Sequence, residues 1–349
     1  MDFDIMKQQY GLDELEQGLR QLFPEMGISL EALLERVMAG DIGGAMLKLF
    51  RGSIDVIAAQ LGSLKNVFIW LVLLGIISTV VSHFTEIFDR HQVADLGFYF
   101  MYLLLTTILI KSFFYVAETA TATLENITLF VKLLVPAYLL SVGIASGTVT
   151  ASASCQLMLF VIYGIESILA KGMLPLIYSF FMLILVNGIW VEEKLTLILE
   201  LIEKGIRFVL KGAIGVVTGL SVFQALITPV VDKARTSALE KMLKSIPGVG
   251  NAAGNVVELA LGSAMVIKNS IGIVLLMLML LLCVAPLVKI GLTAGMLKCA
   301  AAMMGVVSDK RMVACANRAG DAGLLLFRTT GTAMLLFLIS IAVITAAKG

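Results

Sequence analysis

The chain has 349 residues, of which 59% are hydrophobic and 15% charged, with a formal net charge of +1. So little charge over so much apolar sequence excludes a soluble globular enzyme, and the scattered basic residues leave no nucleic-acid footprint. A polytopic, all-α membrane protein remains, with lipid as its first partner, because continuous apolar runs satisfy their backbone in lipid only as helices and lack the two-residue alternation of a β-barrel.

The N-terminus, MDFDIMKQQY, is acidic at its head and lacks the apolar core of a secretory signal. Residues 1–65 read as a separate acidic, amphipathic helical region outside the bilayer. Leu12, Leu15, Leu19 and Leu22 recur at helical spacing until Pro24 and Gly27 break the pattern. Leu30, Leu33, Leu34 and Val37 begin a second helix after a Ser29 cap, Gly40 ends it, and Asp41 caps a third running through Leu47, Phe50, Ile54, Ile57 and Leu61. Two readings stay open for this region: a bundle packed on itself or on the membrane, and a docking surface for a partner.

Residues 66–349 read as a transmembrane helical domain. Apolar runs near the roughly 20 residues needed to cross a bilayer place spans at 67–84, 96–117, 127–147, 154–170, 173–191, 212–231, 270–288 and 322–347. A ninth, 251–268, is rich in small residues and carries Glu258 at its middle, so it reads either as a span packed through Gly and Ala or as a re-entrant segment. The stretch 289–307, interrupted by Lys289 and Lys298, reads as a half-span or an interfacial helix. In 192–211, Glu200, Glu203, Lys204, Arg207 and Lys211 share one face, opposite Leu195, Ile198, Leu199, Ile202 and Ile206. That pattern, and a similar one in 232–246, predicts helices lying along the membrane surface. The basic loops support both orientations of the N-terminal region.

Ionisable residues inside spans are functional candidates by default. Here they are Lys111, Lys132, Glu166, Glu258 and Arg328. The three basic residues lie near segment ends, where long side chains reach the interface, and Glu166 is excused in the same way by its position just before Lys171. Glu258 is the least easily excused. Cys155, Cys283, Cys299 and Cys315 have no CxxC spacing and read as small packing residues, and His83 and His91 are too few for a metal site. Gly248, Gly250 and Gly254 only superficially match a dinucleotide loop, since no strand precedes them and the third glycine is one residue late. Pro136, Pro175, Pro229 and Pro286 lie in or beside spans. The phrases Leu174-Pro175-Leu176-Ile177 and Ala285-Pro286-Leu287-Val288 are alike, and paired interrupted helices build the central site of many transporters, but a match of two short phrases is better read as coincidence.

Four runs carry a resemblance to a known family: Ser245-Ile246-Pro247-Gly248-Val249-Gly250; Gly262 to Gly272 (GSAMVIKNSIG); Ala285-Pro286-Leu287-Val288-Lys289; and Leu297-Lys298-Cys299-Ala300-Ala301-Ala302. In order and spacing they resemble stage III sporulation protein AE, a similarity that extends from about residue 62 to the end. The resemblance implies a subunit of the mother-cell membrane in endospore-forming bacteria. It would work with the other membrane proteins of the stage III operon and a forespore membrane partner, in a channel-like complex related to secretion systems that supports the forespore and its late transcription. It also implies a cleavable signal and an N-terminal region between the two membranes, where this sequence departs from the family. It carries over no catalytic residue, metal or cofactor, and the chain reads as a non-enzyme. The candidate structural and assembly residues are Pro247, Gly248, Gly250, Glu258, Lys268, Asn269, Gly272, Pro286, Lys289 and Lys298, in two tightly packed or re-entrant segments. The alternative from a different class is an autonomous secondary transporter coupled through Glu258.

Overall fold

Helices longer than a bilayer is thick dominate the computed structural model, which describes residues 30–41, 43–44, 65–80, 91–146, 149–190, 194–243, 250–306 and 308–346. Within these, residues 91–95, 131–146, 149–156, 223–243, 250–269 and 340–346 are described only by their position along the backbone. In chain order the elements are α1 (Leu30–Met38), α2 (Lys65–Val80), α3 (His91–Ser146), α4 (Val149–Ile168), a π-helical turn (Leu169–Met173), α5 (Leu174–Asn187), α6 (Thr196–Leu243), α7 (Gly250–Met304) and α8 (Lys310–Ala346). All regular structure among the described residues is helical.

Five stretches among the described residues are long and apolar enough to cross a membrane: Leu96–Phe130, Phe160–Asn187, Thr196–Val222, Gly272–Met304 and Lys310–Ile339. The chain is a multi-pass membrane protein, with fewer such helices than the eight or nine spans expected because several expected spans share one helix. Runs 96–117 and 127–147 both lie in α3, and 154–170 continues into 173–191 through the π turn. The 251–268, 270–288 and 289–307 pieces fall almost wholly in α7, so the re-entrant and half-span readings give way to one continuous helix. The expected surface helices at 192–211 and 232–246 lie largely at the two ends of α6 and run on from its apolar middle. The physical reason is common to all. Charged residues such as Glu118, Glu125 and Lys289 change a helix's solvent but leave its hydrogen-bond ladder intact, whereas a helix ends at Pro, Gly or a cap. Even Pro286 lies inside α7, as prolines do in membrane helices when neighbours support the freed carbonyl.

The hub is α8, which packs against α3, α4, α5, α6 and α7. Its sequence explains this: Ala316, Ala319 and Ala322 are fully buried, and beside them Gly320 and Gly323 let neighbouring backbones approach. The closest neighbour is α7, which runs antiparallel. Leu287 faces Gly331, Phe327 faces Gly291, Ala294 faces Gly323 and Lys298 faces Gly320. The turn between them begins where the Gly305 N–H donates to the Ala301 carbonyl. It ends at Asp309, whose Oδ1 accepts the Arg311 backbone N–H at 2.8 Å and so caps α8.

Aromatic rings fasten the other helices. Phe113 of α3 stacks face to face on Phe181 of α5 with centroids 3.8 Å apart, and Phe130 meets Phe337 of α8 edge-on at 5.7 Å. Helix α2 buries Leu71, Leu74 and Ser78 at helical spacing, and Ser78 Oγ donates to Met312 Sδ at 3.2 Å. Helix α1 packs on α7 and buries Leu33 and Val37. It ends as expected at Gly40, whose φ of +84° suits glycine. The Asp41 carboxylate accepts the Gly44 N–H, as a cap would; Ser29 and the apolar positions from Leu47 onward lie outside the described residues. Large apolar side chains such as Phe160 (77% exposed), Phe208 (78%) and Leu197 (80%) face outward, which water would not tolerate over such an area and lipid does.

Candidate functional site

At 55 residues, α7 is about 80 Å long against a hydrocarbon core of about 30 Å, so more than half of it stands outside the hydrocarbon. Charge marks where. Between Lys268 and Lys289 on α7, and between Arg328 and Lys348 at the end of α8, the sequence holds no charged residue, and each stretch is close to the roughly 20 residues of a span. The antiparallel register places Lys289 and Arg328 near one level, so these two stretches lie side by side. Beyond them the hairpin carries Lys298, Asp309, Lys310, Arg311, Arg318 and Asp321.

At the edge of this charge-free layer, Lys289 lies over the Tyr115 ring of α3, with Nζ 3.9 Å from the centroid, a geometry that attracts a cation to the ring's negative face. Further along the hairpin, Lys298 Nζ pairs with Asp321 at 2.8 Å and donates to Asn317 Oδ1 at 3.2 Å. Ser308, Lys310 and Asn317 line a cleft of about 310 Å³ beside it. Gly272 is buried on α7 and Pro286 half-buried. Gly250 opens α7, Glu258, Lys268 and Asn269 follow along it, and Pro247 and Gly248 lie outside the described residues. From Gly250 to Lys298 the helix rises about 70 Å, so these candidates are strung along one rod and do not converge within a protomer. Lys111 and Arg328 are exposed, in keeping with side chains that reach an interface. Cys283 and Cys315 are buried packing residues, while Cys299 is exposed.

Glu166 is the residue that the sequence misplaced. Its side chain is 1% exposed, and neither carboxyl oxygen has a hydrogen-bond partner among the described residues. It faces the bundle interior and does not reach outward past Lys171 as its place in the sequence suggested. The signal was in the spacing: Met158, Ile162, Leu169 and Met173 are all buried, and Glu166 falls on the same face of α4 at i+4 from Ile162 and i−3 from Leu169. Cys283, about 9 Å along α7 from Lys289 by helical rise, lies within electrostatic reach of the Glu166 carboxylate. The π turn begins three residues after Glu166, and such turns often accompany functional positions.

A second polar contact fixes the opposite end of the bundle. Tyr102 of α3 donates its hydroxyl hydrogen to the Leu185 carbonyl at 2.6 Å and touches Cys315 Sγ at 3.3 Å, joining α3, α5 and α8. Gly188 makes room for it, since a Cβ there would overlap the Tyr102 hydroxyl. The loop that follows is held by Asn187, whose Oδ1 accepts the Leu195 N–H at 2.8 Å. Removing the hydroxyl in Tyr102→Phe is expected to cost about 1 kcal/mol, and Gly188→Val, which displaces the whole ring, more. Melting temperatures in detergent check the order, and a Gly188→Val protein as stable as wild type would refute it.

Comparison with known proteins agrees with this architecture. The sequence profile of the family described as stage III sporulation protein AE matches residues 28–348. Stage III sporulation protein AE of Bacillus subtilis (strain 168) is 22% identical over 284 residues, covering 79% of this chain and 70% of the relative. No solved structure matches the chain. With nearly its whole length matched, this multi-pass helical protein belongs to the stage III sporulation protein AE family.

Proposed function

We propose that the chain is a non-enzymatic, multi-spanning subunit of a channel-like, secretion-related complex in the mother-cell membrane facing the forespore. It acts with other membrane proteins of the stage III operon and a forespore membrane partner, and the complex maintains the forespore and its late gene expression. Family membership over residues 28–348 carries the sporulation role. The assembly role draws support from geometry: α7 and α8 are far longer than a bilayer needs, and a charged hairpin end outside the hydrocarbon offers surface for other subunits.

Deleting the gene in its spore-forming host tests the reading. The expected phenotype is forespores that complete engulfment, then shrink and stay transcriptionally silent; normal spores would sink it. The transporter reading is favoured by one observation, the buried Glu166 carboxyl, and predicts substrate flux by the purified protein alone in liposomes. With Glu258 as the coupling group, flux would stop in Glu258→Gln.

A further inference from the structure

We propose that a groove on the outer face of α4 and the π turn seats an acyl chain of an anionic phospholipid, with the headgroup phosphate on Lys171. Between Lys132 and Glu192 the sequence holds only two charged residues, Glu166 and Lys171. Glu166 faces the bundle interior and Lys171 is exposed, so Lys171 is the one outward charge on this apolar run. It makes no ion pair or hydrogen bond with the described residues. A cation on a lipid-facing surface needs an anion, and a lysine whose long stem reaches headgroup level finds it in a lipid phosphate.

The shape of the groove favours a lipid over a partner helix. It measures about 600 Å³ and is lined by two adjacent rows at helical spacing, Phe160, Gly164, Ile168 and Gly172 in one, Tyr163, Ser167 and Lys171 in the other. Gly164 and Gly172 open it: nothing lies within 4 Å of a Cβ at Gly164, and at Gly172 only Ile168 Cγ2 does, at 4.0 Å. From Phe160 to Lys171 it runs about 17 Å along the helix, close to the depth of one leaflet of a hydrocarbon core about 30 Å thick. A partner's transmembrane helix crosses both leaflets and would need a groove about twice as long. A phospholipid crosses one leaflet and carries its charge at one end, as the groove does. No acidic side chain lines the groove, so a headgroup of net negative charge fits Lys171 better than a zwitterionic one, whose own ammonium would repel it.

Native mass spectrometry of the full chain, released from micelles holding equal amounts of phosphatidylglycerol and phosphatidylcholine, reads both bound lipid and protein stoichiometry. The expected result is retention of phosphatidylglycerol over phosphatidylcholine by about fivefold, the factor that one lysine at headgroup level gives. Lys171→Gln removes that preference. Gly164→Leu fills the groove from outside and lowers retention of both lipids, while its melting temperature in detergent stays that of wild type because the added Cβ displaces nothing. Equal retention of the two lipids by the wild-type chain, a preference that survives Lys171→Gln, or retention unchanged in Gly164→Leu overturns the proposal. So does a dimer that Gly164→Leu splits, which would make the groove a contact between two copies of the chain.

Discussion

Gly323→Leu should separate α7 from α8 and leave a protein that no longer melts as one unit. A Cβ at position 323 would already lie 2.9 Å from the Ala294 Cβ and 3.4 Å from its Cα. Neither atom can rotate away, so relief requires moving a helix. Overpacking a tight site costs about 1–3 kcal/mol where side chains can adjust, and with backbone as the neighbour the upper end is expected. Because α8 touches five other helices, the displacement spreads through the bundle. Gly205→Leu is the control, since nothing lies within 4 Å of a Cβ there. Fluorescence-detected size exclusion after heating reads the difference, and equal stability of the two variants would refute the packing account.

Phe113→Ala is the second large effect, at about 3–5 kcal/mol for a buried aromatic truncated to alanine. Phe113 is 1% exposed. It stacks on Phe181 and meets Tyr178 edge-on at 5.9 Å, so its removal opens a cavity along the contact between α3 and α5. Its neighbour Phe114 points outward at 46% exposed and should be nearly silent as Phe114→Ala. A chemical or thermal melt of the two variants side by side tests this, and similar losses would mean that the Phe113 contact does not carry the contact between α3 and α5.

The pair also shows where sequence reading stops. Phe113 and Phe114 are equivalent by hydropathy, and only the neighbours on α5 decide which is core. Glu166 makes the same point with greater consequence. A carboxylate five residues before a lysine reads as interfacial, but the buried stripe of Met158, Ile162, Leu169 and Met173 turns it inward. Where chemistry is local, the reading held: Gly40 ends α1 with a positive φ. Where it divided long apolar stretches into separate segments, it did not show which of them join, and α3, α6 and α7 each run through more than one expected segment.

By itself, then, the sequence determined the helical class, the multi-pass membrane character and, through the runs around Pro247, Lys268, Pro286 and Lys298, the family. These follow from composition, from the need of backbone groups for partners in lipid, and from residue order, all of which are present in the chain before it folds. Only the tertiary structure decided which apolar runs fuse into single rods, that small residues make α8 the hub, that Lys289 rests on Tyr115, and that Glu166 faces inward. Each of these depends on which distant helix covers which face, and that is settled by packing between segments far apart in the chain.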